Sequence, residues 1–193
     1  GAHWAFERPE RPLVAAGVHP VDGLLGERMA SVGLRPNGVA ARHSILRRLS
    51  FDLRGLPPSL AEMESFRTDA RPLREAVREV ARSFMASPHH GERLAMWWLD
   101  AARYADTDGF QADATRTNWP WRDWVVSAFN KNMPFDRFTL EQFAGDLLPG
   151  ATDEQRLATC FHRNHMTNGE GGRDPEESRV DYVIDRVNTM GTV

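Results

Sequence analysis

An all-α fold is what this sequence predicts, and three observations predict it. Apolar residues recur at three- and four-residue spacing through most of the chain, as they do on helices with one buried face. Capping residues stand ahead of these stretches, and glycine or proline follows them, which marks starts and stops. No stretch in the first half alternates apolar and polar residues as a strand would. The reading is a single compact helical domain over residues 1–193, with about eight helices, short connections and an extended arm over 1–19.

The arm carries Pro9, Arg11 and Pro12, and proline disfavours helix at itself and at the residue before it; Trp4 and Phe6 are expected to pin it to the body. Asp22 is placed to cap a first helix with Leu25, Met29 and Val32 on one side and Gly33 just past its end. Asn37 opens a second, with Ile45, Leu46, Leu49 and Leu53 inward, stopped by Gly55 and Pro57-Pro58. Ser59 and Glu62 form a capping box for a short third helix bearing Leu60, Met63 and Phe66. Pro72 begins a fourth, with Leu73, Ala76, Val77, Val80 and Phe84 at helical spacing, ended by Ser87-Pro88.

From about Glu92 runs the central helix, with Leu94, Trp97, Trp98, Ala101 and Ala105 read as its inner face. An aspartate-rich loop follows, and then Pro120 suits the first turn of a helix with Trp121, Trp124, Val125, Ala128 and Phe129 inward. Five of the six tryptophans fall in this stretch, so it is expected to be the packing centre. Asp136 is read as the cap of a helix with Leu140, Phe143, Ala144, Leu147 and Leu148 inward, ended by Pro149-Gly150. Thr152 and Gln155 form a second capping box, ahead of Leu157, Ala158 and Phe161. After a glycine-rich loop over 164–173, Asp174, Pro175 and Glu177 start a last helix. Its Val180, Val183, Ile184 and Val187 are read as inward, with Glu177, Asp181 and Asp185 opposite. That helix runs nearly to Val193, so the chain is read as a fragment of something longer.

The formal charge of -3, from 24 basic and 27 acidic residues, makes no electrostatic case for nucleic acid or an anionic membrane surface. Apolar runs are far shorter than the roughly 20 residues that cross a bilayer. Cys160 is the only cysteine, which excludes an internal disulfide, a cysteine-based zinc site and a haem held by two cysteines.

Several blocks carry a family resemblance: HWAF at the start, LRRLSFDLRGLPPS at 46–59, SPHHGERLAMWWLDAARYADTDGF at 87–110, WPWRDWVVSAFNKNMPFDRFTLEQFAGDLLPGAT at 119–152 and FHRNHMTNGEGGRDPEESRVDYVIDRVNTMGTV at 161–193. Taken together they resemble the planctomycete secreted cytochrome-linked domain, a domain of unknown function in large haem-associated exported proteins. His165 stands where that family resembles a threonine, and His90 where it has tyrosine. The resemblance implies a periplasmic or secreted location. It also implies that the full-length protein carries c-type haem on a Cys-x-x-Cys-His segment beyond the position of Val193, and that this chain holds no haem covalently.

Three groups of residues are candidates for chemistry. Asp106, Asp108 and Asp113 offer hard oxygen ligands in a turn, as calcium requires, although the complete EF-hand spacing is absent; the same carboxylates suit helix ends, Arg103, Arg116 or backbone donors. His162 and His165, three apart, could share a metal with Glu170 or Asp174. Glu170, among the glycines of the Asn168–Gly172 loop, is a candidate catalytic acid or base. The leading expectation is an accessory module that helps shape a redox or substrate site in a haem-linked assembly, its partners being other segments or subunits. The alternative is a hydrolase or oxidoreductase acting on polysaccharide, with the Glu170 and Asp106–Asp113 loops brought together at its site.

Overall fold

A computed structural model describes residues 3–11, 13–110 and 112–193, with the side chain of Trp4 left out. It is all-α: nine α-helices and three 3-10 segments, with no strand beyond one isolated antiparallel bridge between Thr107 and Thr115 among the described residues. Internal contacts divide the chain into two compact units, residues 1–40 and 41–193.

The first unit holds a 3-10 turn, Trp4–Phe6, and helix α1, Pro20–Ser31. His19, not Asp22, caps α1, its Nδ1 accepting from the Val21 amide at 3.3 Å; Asp22 sits inside the first turn, where its charge favours the helix dipole. Gly33 takes the expected left-handed conformation, φ 73°. Phe6 is 88 % exposed, its ring edge-on to His3; the parts assigned to Trp4 and Pro12 lie outside the described residues.

The second unit starts with α2 (Arg42–Arg54), α3 (Leu60–Thr68) and α4 (Leu73–Met85), which enclose Leu46, Phe66, Ala76 and Phe84. Helix α2 begins five residues later than its sequence pattern predicts, with Ala41 at its cap and no side-chain bond there. The Ser59–Glu62 capping box forms as predicted. Glu62 also takes both terminal nitrogens of Arg54, at 2.9 and 3.1 Å, while the Arg54 guanidinium lies 3.7 Å from the Phe84 ring centroid.

Helix α5 spans Pro88–Ala101. It starts ahead of the predicted Glu92 because Ser87 caps it, through a hydroxyl that accepts from the His89 amide. It joins the first core to the second: the His90 ring lies 2.8 Å from the Leu53 carbonyl, and Arg93 Nε donates to the Phe51 carbonyl. The face of α5 that packs on α6 (Trp119–Asn130) is built on small residues, Gly91, Ala95 and, just past the helix end, Ala102. A Cβ on Gly91 would stand 2.5 Å from the Val126 carbonyl oxygen, closer than atoms pack. Asn130 locks the same crossing, accepting from the Gly91 amide at 2.8 Å and donating to the Pro88 carbonyl at 3.0 Å.

Trp121, Trp124, Val125 and Ala128 of α6 form the second core with Phe138 of α7 (Phe135–Ala144), Ala158 of α8 (Asp153–Ala158) and Phe161 of the following 3-10 turn. Two readings on α7 are corrected: Asp136 lies inside the first turn, after Pro134 at the cap, and Leu140 is exposed while Phe138, Glu141 and Gln142 are buried. Among the described residues no helix is long and apolar enough to cross a membrane.

Candidate functional site

The aspartate-rich loop leaves α5 through Arg103, whose φ of 57° turns the chain sharply. It folds on itself at the Thr107–Thr115 bridge, where the Asp108 amide donates to the Ala114 carbonyl at 2.9 Å. Inside this loop Asp113 accepts from the Gly109 amide at 2.8 Å; the Thr107 hydroxyl first, and then that amide, hold its carboxyl below the usual range. Asp106 accepts from the Tyr104 hydroxyl at 2.5 Å. Burial, reinforced by Asp106, pushes Tyr104 up to about 12, so its hydroxyl stays protonated at neutral pH.

Arg116 staples this loop to the glycine-rich one, its Nη1 donating to the carbonyls of Arg163 and His165 at 3.0 and 2.6 Å. Burial pushes its guanidinium down, with Asp108 nearby offsetting part of that. The Thr167 amide donates to the Asp108 carbonyl at 3.1 Å, and Asn118 donates to Asn164 in a buried pair at 2.8 Å. Residues 106–116 and 163–168 therefore meet.

The last helix, α9 (Pro175–Thr192), lies across that junction and is capped by Asp174 as predicted. It docks largely through polar groups, with Met190 packed on the second core. Asp185 accepts from Arg103 Nη1 at 2.9 Å and from the Met166 amide at 3.0 Å. The Tyr182 hydroxyl accepts from the Asn168 amide at 2.7 Å, and Arg186 Nη2 lies 3.3 Å from His165 Nε2. Ser178 and Thr189 complete the buried face. The valine and isoleucine stripe is thus on the other side: Val180, Val183, Ile184 and Val187 are 43–60 % exposed, which corrects the inward reading. Between α9 and the two loops opens a cavity of about 290 Å³, lined by Phe110, Met166, Asn168, Asp181, Tyr182 and Asp185 with neighbouring residues.

The sequence-derived candidates fall around this junction without converging. Glu170 is exposed, two residues past Asn168, with its amide donating to the Asn168 side chain. His162 faces the Phe143 carbonyl and packs edge-on against Phe143 and Phe161, whereas His165 turns its Nδ1 to the Met166 carbonyl. Among the described residues no three His, Cys, Asp or Glu side chains gather as a metal site would. A c-type haem needs two cysteines, and Cys160 is the only one, so these residues do not fit its covalent attachment. Sequence reasoning missed Asp185, Tyr182 and Arg103 as the groups that hold the site together. Their only local signal is the polar period Ser178, Tyr182, Asp185, Thr189.

The fold and this junction define an all-α module whose last helix is docked by polar groups over two stapled loops and turns an apolar face outward. Residues 20–193 match the family PSCyt2, described as protein of unknown function (DUF1549), and the chain belongs to that family. No curated protein and no solved structure matches it.

Proposed function

We infer that this chain is an accessory module of an extracytoplasmic protein or complex bearing c-type haem, and that it docks the remainder of that assembly through the outward face of α9. The observation that carries the reading is the α9 stripe. Four branched aliphatic side chains are 43–60 % exposed while the helix's inward contacts are largely polar, with Met190 near its end packed on the second core, unlike a helix that buries its whole apolar stripe in its own domain. Contiguous exposed apolar surface of this kind marks an interaction site. The haem-linked, exported setting rests on the family resemblance alone.

The test is hydrogen exchange across α9 in the exported full-length gene product and in residues 1–193 alone. Amides of 180–187 are expected to be protected more strongly in the full-length protein. The double substitution Val183→Asp, Ile184→Asp is expected to erase that extra protection while leaving the far-UV circular dichroism of residues 1–193 unchanged. Equal exchange in the two wild-type proteins overturns the docking reading, and a full-length product without c-type haem absorption bands removes the haem part.

A further inference from the structure

We propose that the surface of α5 around Trp97 is a binding platform for the ring of a neutral pyranose sugar. It lies on a different face from the α9 stripe and does not depend on the docking reading. Trp97 is 65 % exposed and its neighbour Met96 60 %. Aromatic side chains bury large apolar areas when they pack, and Trp97 with Met96 leaves such area outward on a well-formed helix, beside a concavity that Trp119 does not line.

The indole is braced. Arg93, one turn earlier, lays its guanidinium carbon 5.1 Å from the Trp97 ring centroid. Arg93 is itself tied down, donating through Nε to the Phe51 carbonyl at 3.1 Å, with its stem against Gly55. A concavity of about 450 Å³ opens beside the ring, lined by Arg93, Met96, Trp97, Leu99, Asp100 and Tyr104. Its lining is mostly apolar with a polar edge, where the Asp100 carboxylate makes no hydrogen bond or ion pair among the described residues and Arg93 carries guanidinium N–H groups beyond the Nε that bonds Phe51.

A pyranose presents an apolar C–H face and a rim of hydroxyls that both donate and accept. The C–H face matches the indole, the donors match Asp100, and the acceptors match Arg93, each through a charge-assisted bond. Arg93 and Asp100 cancel in charge, and the Tyr104 hydroxyl is neutral and already directed to Asp106. A sulfated or uronic sugar would find no surplus cation here. The concave shape and the charged groups within one turn of Trp97 fit a sugar better than a flat protein hot spot, which needs a wide apolar surround to exclude water.

The experiment titrates residues 1–193 with cellotetraose, reading the indole N–H resonance of Trp97 and intrinsic fluorescence. The wild type is expected to show a saturable shift, Trp97→Ala to lose binding by at least about tenfold and Asp100→Asn by several-fold. Trp119→Ala, which removes the other exposed tryptophan among the described residues, 52 % exposed, is expected to bind as the wild type does. Circular dichroism of all variants should be unchanged, since both indoles are largely outside the core. Three outcomes overturn the proposal: no shift of Trp97 at about 10 mM cellotetraose, xylotetraose or mannotetraose; equal loss in Trp119→Ala; or loss of a protein partner in Trp97→Ala with no sugar response.

Discussion

At the scale of single residues, Glu62 is where the chain concentrates its local electrostatics. It closes the capping box with Ser59 and takes both terminal nitrogens of Arg54; the bond to Arg54, ahead of the two bonds from Ser59, holds its carboxyl below the ordinary glutamate range. A depressed carboxylate contributes stability above its unfolded pKa and loses it as pH falls through the folded value. Glu62→Gln keeps the side-chain shape and the cap but removes the charge. It is therefore expected to cost about 1 kcal/mol at pH 7 and progressively less as pH falls below about 4, read as the separation of wild-type and variant urea midpoints. A separation that stays constant with pH would show that Arg54 holds Glu62 no better than solvent does. The capping residues were legible because both partners lie within three positions of each other. Asp185 and Asn130 were not, because their partners stand 82 and 39 residues away and no local pattern encodes that distance.

At the scale of helices, size misled where spacing did not. The sequence pattern on α5 sets Leu94, Trp97, Trp98, Ala101 and Ala105 inward, but the face that meets α6 consists of Gly91, Ala95 and Ala102 with Trp98 beside them, and Trp97 is outward. Close crossing needs small residues, so a bulky one at the right interval can still face solvent. Gly91→Ala is the matching test: a methyl group 2.5 Å from the Val126 carbonyl and from Asn130 forces the helices apart. The expected loss is about 2–3 kcal/mol, despite the better helix propensity of alanine, measured by chemical unfolding. A stabilised Gly91→Ala protein would mean that the crossing yields easily. Helix α9 erred in the opposite sense. The periodicity rule assumes that the apolar side is the buried side, and α9 instead buries Ser178 and Thr189 and seats Asp185 half-buried between Arg103 and Met166. The candidate loops were thus legible as loops, while the helix that completes their cavity was read back to front.

At the scale of the molecule, the all-α class was legible because every helix above carries its own start or stop, whereas the way α5 unites two cores was not, since it depends on which small residues meet. Both clusters lie within residues 41–193: Leu46, Phe66, Ala76 and Phe84 in one, and Trp121, Trp124, Val125 and Phe138 with their neighbours in the other. A chain of residues 41–193 is accordingly expected to fold alone. Helix α5 ties the clusters, through His90 and Arg93 to the α2 carbonyls on one side and through Gly91 to α6 on the other, so they are expected to unfold together. The tryptophans make this measurable, because within 41–193 the three that are not largely exposed, Trp98, Trp121 and Trp124, lie in or beside the second cluster while helical signal comes from both. Fluorescence and far-UV circular dichroism should then give coincident urea transitions. Circular dichroism that loses amplitude ahead of fluorescence would show the α2–α4 cluster melting by itself, and α5 would then be a tether rather than a shared wall.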